Sequence, residues 1–422
     1  MIELGLSRIT QLVQKPSLTW KAIHVAGTNG KGSITGYLSA LLTAGGVRCG
    51  SFTSPHLIDR WDCITINERA VQESIFRRIE NEVKQRNQRL GLGATEFELL
   101  TATAFEIFSQ EQVEVGVVEV GMGGRLDATN ILTNVLVSII SKIGYDHQAI
   151  LGNTIEEIAR EKAGIVKPGV PCVVDSTNSH EVKQVIQAHA ETLDAPTTFV
   201  NAQHVGQLFP LLRDKFGSLD LPPHQRANLS CAITALQVAL PQIRPDLMVD
   251  QLFPFISKTP RPGRLQEVCL ETLISRNEPV LLDGAHNPQS AEVLASYVDR
   301  KFRAHAKTIT WVVAASQGKD IVELLGCMLK PGDNVAVVEF GPVAGMPWVR
   351  SVRSTELATA ARDVPGIGAV EGFERDVLAG LNWANTISAG GPVVIAGSLY
   401  LVSDVLRLLR EAQAGIARDA VN

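Results

Sequence analysis

Between an apolar run and an amphipathic stretch lie eight residues, Ala26-Gly27-Thr28-Asn29-Gly30-Lys31-Gly32-Ser33, whose types and order suit one task. Glycines let backbone N–H groups turn toward an anion with no Cβ in the way, and the first turn of a helix adds further donors and a favourable partial charge. That charge contributes only about 0.3–1 kcal/mol at an exposed site, so Lys31 and a metal ion must supply much of the hold on a triphosphate. The loop departs from the G-x-x-x-x-G-K-[ST] pattern. Val25 stands at the first glycine, and Gly32 follows Lys31, which displaces the hydroxyl that ordinarily binds magnesium. The plainer reading, a strand-to-helix turn with no ligand, leaves a lysine between two glycines without a purpose.

Other candidates stand further along. Glu119 ends an apolar run, where a carboxylate must find a metal or an ion-pair partner to offset its burial. Asp146-His147 follows another such run. Lys162, among Glu156, Glu157 and Glu161, reads on its own as an exposed helical lysine in salt bridges. Gln225 and Asn228, on a helix beginning near His224, carry side-chain amides that can both donate and accept hydrogen bonds. Arg264 follows a proline-rich break, Asp283 terminates a strand, and His286-Asn287 opens the next helix.

The elements that must position these groups alternate in type. Helices are expected at Ser33–Ala44, Ser74–Arg89, Phe97–Phe108 and Ile155–Lys162, and strands at Val47–Phe52, Val115–Val120, Val135–Ile140 and Pro171–Val174. Strands separated by helices imply βαβ units and a mostly parallel sheet. Lys258 to Gly263, K-T-P-R-P-G, can continue neither a helix nor a central strand. A boundary is therefore placed there, giving domains 1–258 and 265–422 joined by a hinge at 259–264. Beyond it the alternation resumes: strands at Pro279–Leu282, Thr308–Ala314, Asn334–Phe340 and Val393–Ile395, helices at Ser290–Phe302, Ile321–Leu329 and Val402–Ala412.

Composition bounds the rest. The chain has 422 residues, 45% apolar and 20% charged, a globular mix that excludes wholesale disorder. A net charge of −5 provides no basic field for nucleic acid or an anionic membrane. No two of the six cysteines have metal-ligand spacing, so reduced thiols in a cytoplasmic protein are expected. The start, M-I-E-L-G-L-S-R-I-T, does not resemble a signal peptide. The uncharged run Leu381–Ser403, interrupted by Gly390-Gly391-Pro392, reads as a buried strand framed by loops and not as a membrane span.

Seven ordered motifs resemble the folylpolyglutamate synthase and dihydrofolate synthase family of the Mur ligase superfamily. They are A-G-T-N-G-K-G-S, Thr53-Ser54-Pro55-His56-Leu57, E-V-G-M-G-G-R-L-D-A-T-N at Glu119–Asn130, Asp146-His147 with Glu161-Lys162-Ala163-Gly164-Ile165, Pro262-Gly263-Arg264, Asp283-Gly284-Ala285-His286-Asn287-Pro288, and Gly397-Ser398-Leu399-Tyr400. The resemblance implies an α/β protein: a P-loop-type, mostly parallel sheet in the N-terminal domain and a smaller Rossmann-like C-terminal domain. It implies ATP, two magnesium sites, and addition of L-glutamate to dihydropteroate or a folate through an acyl phosphate, with both activities in one monomer. ATP would be held by Gly27, Thr28, Asn29, Gly30, Lys31, Gly32, Ser33, Gln225, Asn228, Arg264 and Asp283, and His286 would help order the phosphates. One metal falls to Ser54, Glu119 and His147, with Thr53 as fallback, and a second to Lys162 as a carbamate. Thr95, Glu96, Phe97, Arg125, Asp127 and Ala128 would bind the pteroate, with Phe97 and Asp127 open to a core and a helix-cap reading. The site is expected between the domains, closing on nucleotide.

One departure stands out. Cys63 occupies a place where the family carries arginine, and Arg60 or Arg69 could substitute. A Mur-type peptidoglycan ligase shares the chemistry, but the R-L-D-A-T-N and D-G-A-H-N-P stretches favour folate. A nucleotide switch would need an N-K-x-D motif, and the sequence has none. A binding module that has lost its chemistry has only Cys63 in its favour.

Overall fold

Strands that are apolar on both faces need a layer of helices on each side. The structure, a computed structural model, builds this arrangement twice. It describes residues 4–13, 18–209, 219, 221–258 and 262–419. The chain divides into two units: Met1–His56 with Trp61–Pro260, and Leu57–Arg60 with Arg261–Asn422. Of the expected hinge, residues 259–261 lie outside the described residues.

The first unit holds β1 (Lys21–Ala26), β2 (Cys49–Phe52), β3 (Ile64–Ile66), β4 (Arg69–Ala70), β5 (Val115–Glu119), β6 (Val135–Ile140), β7 (Cys172–Asp175) and β8 (Thr197–Val200). They form one sheet in the order β4-β3-β2-β5-β1-β6-β7-β8. The six strands from β2 to β8 run parallel, and β3 and β4 add an antiparallel edge. The two-residue side-chain period of a strand decides which layer each residue meets. Ile23 and Val25 of β1 pack with Ile34, Leu38 and Leu42 of the helix Lys31–Ala44 and with Leu229, Ile233 and Leu236 of the helix Pro223–Ile243. Ala22 and Ala26 face the other layer, where Phe105 and Phe108 of the helix Glu96–Gln110 and Ile158 of the helix Ile155–Ala163 complete two more cores.

The second unit carries β9 (Gln266–Val268), β10 (Val280–Leu282), β11 (Thr310–Val313), β12 (Asn334–Val337), β13 (Val370–Gly372) and β14 (Val393–Ala396). Their order is β13-β12-β11-β14-β10-β9, parallel except for the β9 edge. The segment Leu57–Arg60 belongs to this unit. Leu57 packs with the apolar cluster that holds Leu401 and Val405, Arg407 donates to the Ile58 carbonyl at 3.0 Å, and Arg410 pairs with Asp59.

Several expectations change. The run 381–403 holds the expected buried strand, framed by the turns 389–392 and 397–398, but both of its ends are helical. The helix Val377–Ser388 fills its first part, β14 its middle, and the helix Leu399–Asp419 begins before its end. The helix expected from Ser33 begins at Lys31, two residues earlier, behind Gly30 as a left-handed N-cap with φ +96°. The helix expected to Phe302 ends at Val298, and a π-helical turn, Asp299–Arg303, follows.

Candidate active site

In a parallel sheet every loop that leaves a strand's C-terminal end opens on the same edge, and ligands bind there. β2, β5, β1 and β6 are neighbours and all parallel. Topology therefore brings Ser54 after β2, Glu119 at the end of β5, the Gly27–Ser33 loop after β1, and His147 beyond β6 to one edge.

The loop is braced from below. Gly27 has φ +148°, and a Cβ there would stand 1.8 Å from Ser141 Oγ; at Gly30 it would stand 2.2 Å from Asn228 Oδ1. Thr28 and Asn29 donate their N–H groups to the Lys142 carbonyl at 2.9 and 3.0 Å, and Thr28 Oγ1 pairs with Gly144. These two amides are therefore spent within the protein. The first helical amides, from Lys31 onward, have no intrahelical acceptor and remain the donors for an anion. Lys31 Nζ lies 3.2 Å from the Thr28 carbonyl and 3.7 Å from Glu119 Oε1. Gln225 is buried, donates to Ser33 Oγ at 3.4 Å and accepts from Tyr37 at 3.3 Å.

The solvated reading of Lys162 is wrong. Its side chain is buried, and Nζ donates to the Gly27 carbonyl at 2.8 Å. Burial, and secondarily the nearby Lys31 ammonium, lower its pKa from 10.5 to about 7. A lysine in that range offers the neutral amine that carbamate formation requires. Among the described residues no three His, Cys, Asp or Glu side chains form a metal cluster. Glu119 and His147 would therefore hold a divalent ion only with hydroxyl and phosphate oxygens beside them, a donor set that suits a hard cation. His147 sits at φ +53°, its ring 43% exposed and 3.9 Å from the Asp146 carboxylate.

The expected pteroate residues divide. Thr95 caps the helix Glu96–Gln110 in a reciprocal capping box with Glu98. Phe97 stacks on Phe52 at 6.2 Å and lies against Gly121. Arg125 pairs with Glu161 at 2.8 Å, half exposed. Asp127 is 1% exposed and caps the short helix Ala128–Ile131. Its oxygens accept from Met122 N, Thr129 N and Thr129 Oγ1 at 2.8, 2.9 and 2.5 Å. Burial raises its pKa, and these donors oppose the rise. Ala128 is buried behind it, and Glu96 opens the same helix as Phe97. Cys63 is buried in the apolar cluster with Phe52 and Ile64, while Arg69 is exposed on β4 and Arg60 lies against Gly345 of the second unit.

In the second unit Arg264, Asp283 and His286 gather at the end of β10. Asp283 accepts from Leu265 N and Ala285 N at 2.8 Å each. Burial raises its pKa, and the Arg264 guanidinium acts against that rise. His286 Nδ1 is 2.8 Å from the Gly284 carbonyl, which aims the imidazole by its own turn. An Arg264 nitrogen lies 2.3 Å from where a Gly284 Cβ would stand, so this glycine admits the guanidinium.

Residues 266–408 match the family profile described as dihydrofolate synthetase, C-terminal domain. The probable dihydrofolate synthetase of Schizosaccharomyces pombe is 37% identical over 97% of this chain and 99% of its own. The chain belongs to the dihydrofolate synthase/folylpolyglutamate synthase family. A second member of this family, the dihydrofolate synthase/folylpolyglutamate synthase of Bacillus subtilis, is 31% identical over 97% of this chain and 96% of its own. A crystal structure of the bifunctional folylpolyglutamate synthase/dihydrofolate synthase of Yersinia pestis, complexed with AMPPNP and Mn ion, superposes with a TM-score of 0.77. It is 27% identical and covers 97% of this chain and 94% of that one. As a member of this family the chain is an ATP-dependent acid–amino-acid ligase, with the family's two-sheet α/β fold.

Several supports escaped the sequence reading. Ser141 and Lys142 end a β-branched run and gave no signal of their own. His24 reads as one polar residue in an apolar strand. Tyr37 sits at a helical core position.

Proposed function

We propose that this ligase joins L-glutamate to dihydropteroate, and to folates in a second activity, consuming ATP and releasing ADP and phosphate. A carboxylate is a poor acyl donor, so the γ-phosphate is first transferred to it and the amine then displaces phosphate from the acyl phosphate. The observation that carries the reading is Lys162, buried, about 7 in pKa and bonded to the Gly27 carbonyl of the phosphate loop. The loop amides and Lys31 bind the triphosphate, Gln225 and Asn228 support the loop, and Arg264, Asp283 and His286 are assigned to the nucleotide as well. A divalent ion on Ser54, Glu119 and His147, and a second on the Lys162 carbamate, would offset the phosphate charge as the group transfers. Aligning acid, phosphate and amine can contribute on the order of 7–11 kcal/mol of the barrier.

The dihydropteroate activity is favoured by the dihydrofolate synthetase profile and the 37% relative, and the folate activity by the relatives that carry both names. The pteroate is assigned to Thr95, Glu96, Phe97, Arg125, Asp127 and Ala128, with Asp127 acting mainly by shaping the loop. No helix among the described residues is long and apolar enough to cross a membrane. The reading includes a cytoplasmic monomer, and light scattering at one chain mass, 45.5 kDa, checks the oligomeric part. Steady-state ADP release with dihydropteroate and with tetrahydrofolate, each with and without glutamate, tests the whole. Turnover with dihydropteroate is expected; no glutamate-dependent product with any pteroate overturns it.

A further inference from the structure

His24 is fully buried in β1, two residues before the end of the strand that opens into the phosphate loop. Its Nε2 lies 2.8 Å from Thr129 Oγ1, and its Nδ1 has no hydrogen-bond partner. Thr129 Oγ1 has one hydrogen and gives it to Asp127 Oδ1 at 2.5 Å. The hydroxyl must then accept from the imidazole, so Nε2 carries the ring proton and Nδ1 is bare. The orphan nitrogen is thus an acceptor and not an N–H, which leaves no buried donor unpaired. Burial disfavours a second ring proton, and the Lys167 ammonium, bonded to Asn130 O and Oδ1 at 2.9 and 2.8 Å, adds to it.

At its far end the chain of bonds closes a loop. Asp127 also accepts from Met122 N at 2.8 Å and from Thr129 N at 2.9 Å, so it gathers both ends of the segment that follows Glu119. That loop presses on the Lys162 segment. A Cβ at Gly124 would stand 2.8 Å from the carbonyl oxygens of Glu161 and Lys162, Arg125 N donates to the Glu161 carbonyl at 2.8 Å, and Asn130 Nδ2 donates to the Gly164 carbonyl at 3.0 Å.

We propose that His24 and Thr129 are positioning residues for the ligase reaction: a fixed Nε2–H tautomer donates to Thr129, Thr129 donates to Asp127, and the chain holds the Val120–Asn130 loop. Through that loop it sets Glu119 and Lys162 against the phosphate loop that β1 feeds. The proposal rests on the ligase reading above, and its first test does not. Nitrogen-15 NMR of the labelled whole protein at neutral pH should show one histidine with Nε2 protonated and Nδ1 unprotonated, absent from His24→Gln. A proton on Nδ1 overturns the proposal. The second test is kinetic. Thr129→Val removes the bridging hydroxyl and should lower kcat with dihydropteroate and glutamate about tenfold, with the KM for ATP within about twofold, because a shift of reacting groups acts on the chemical step. Thr129→Ser keeps the hydroxyl and should restore kcat. A valine variant with unchanged kcat, or a serine variant as slow as valine, overturns the proposal. If the unmodified protein makes no product with any pteroate, the ligase reading falls and the NMR result still decides the hydrogen-bond chain.

Discussion

Lys162 and His24 are both buried bases whose pKa burial lowers, and they predict different experiments. For Lys162, neutral amine at neutral pH predicts carbamate formation. Carbon-13 NMR of the protein in labelled bicarbonate should show a carbamate signal that Lys162→Met abolishes, and the variant should lose at least ~100-fold in kcat as a charge-stabilising group is lost. For His24 the consequence is stability. Folding lowers its pKa from 6.5 to about 3, so between those values the unfolded chain binds a proton that the folded chain refuses. The stability this supplies is full above pH about 6.5 and is lost as pH falls toward 3, with a limiting slope of about 1.4 kcal/mol per pH unit. Denaturant melts at pH 7 and 5 should show a smaller acid loss in His24→Gln than in the unmodified chain. The groups facing the ring, Thr129 and Lys167, remain in both.

At the scale of the element, the helix Glu96–Gln110 depends on a residue far from it in sequence. Buried Glu98 accepts from Thr95 N at 2.7 Å within the capping box and from Arg8 Nε at 3.0 Å. Arg8→Ala leaves that carboxylate short of a partner and should cost about 2 kcal/mol in urea unfolding. By loosening the turn that carries Phe97, it should also raise the KM for dihydropteroate more than that for ATP. The long elements were readable because their periodicity is local: the helices 74–89 and 155–162 and the strands 115–120 and 135–140 each fall within two residues of the observed bounds. The short strands at the sheet margins, β3, β4, β8, β9 and β13, were not read, since their residues are largely half-buried or exposed and make no apolar run. The site divides in the same way. Its glycines and Lys31 are legible because the loop's chemistry is contiguous. The burial of Lys162 is not, because its own helix reads E-E-I-A-R-E-K and what meets it, Gly27 and Gly124, comes from the loops after β1 and β5.

At the scale of the whole molecule, nucleotide binding should appear as stability. A ligand that binds only the folded chain adds about 2.7 kcal/mol at one hundred times its Kd. ATP with magnesium should therefore raise the melting temperature of the whole chain, and Lys31→Ala should remove most of that rise. The division into units adds a constraint of another kind. Leu57–Arg60 leave the ribosome long before the strands and helices that receive them, and domains fold N-terminal first during synthesis. The C-terminal portion thus waits for a piece made early, and the early piece stays without its Arg407 and Arg410 partners until translation is nearly over. A gene cut at residue 261 would encode a second half without the segment whose Leu57 packs on its apolar cluster.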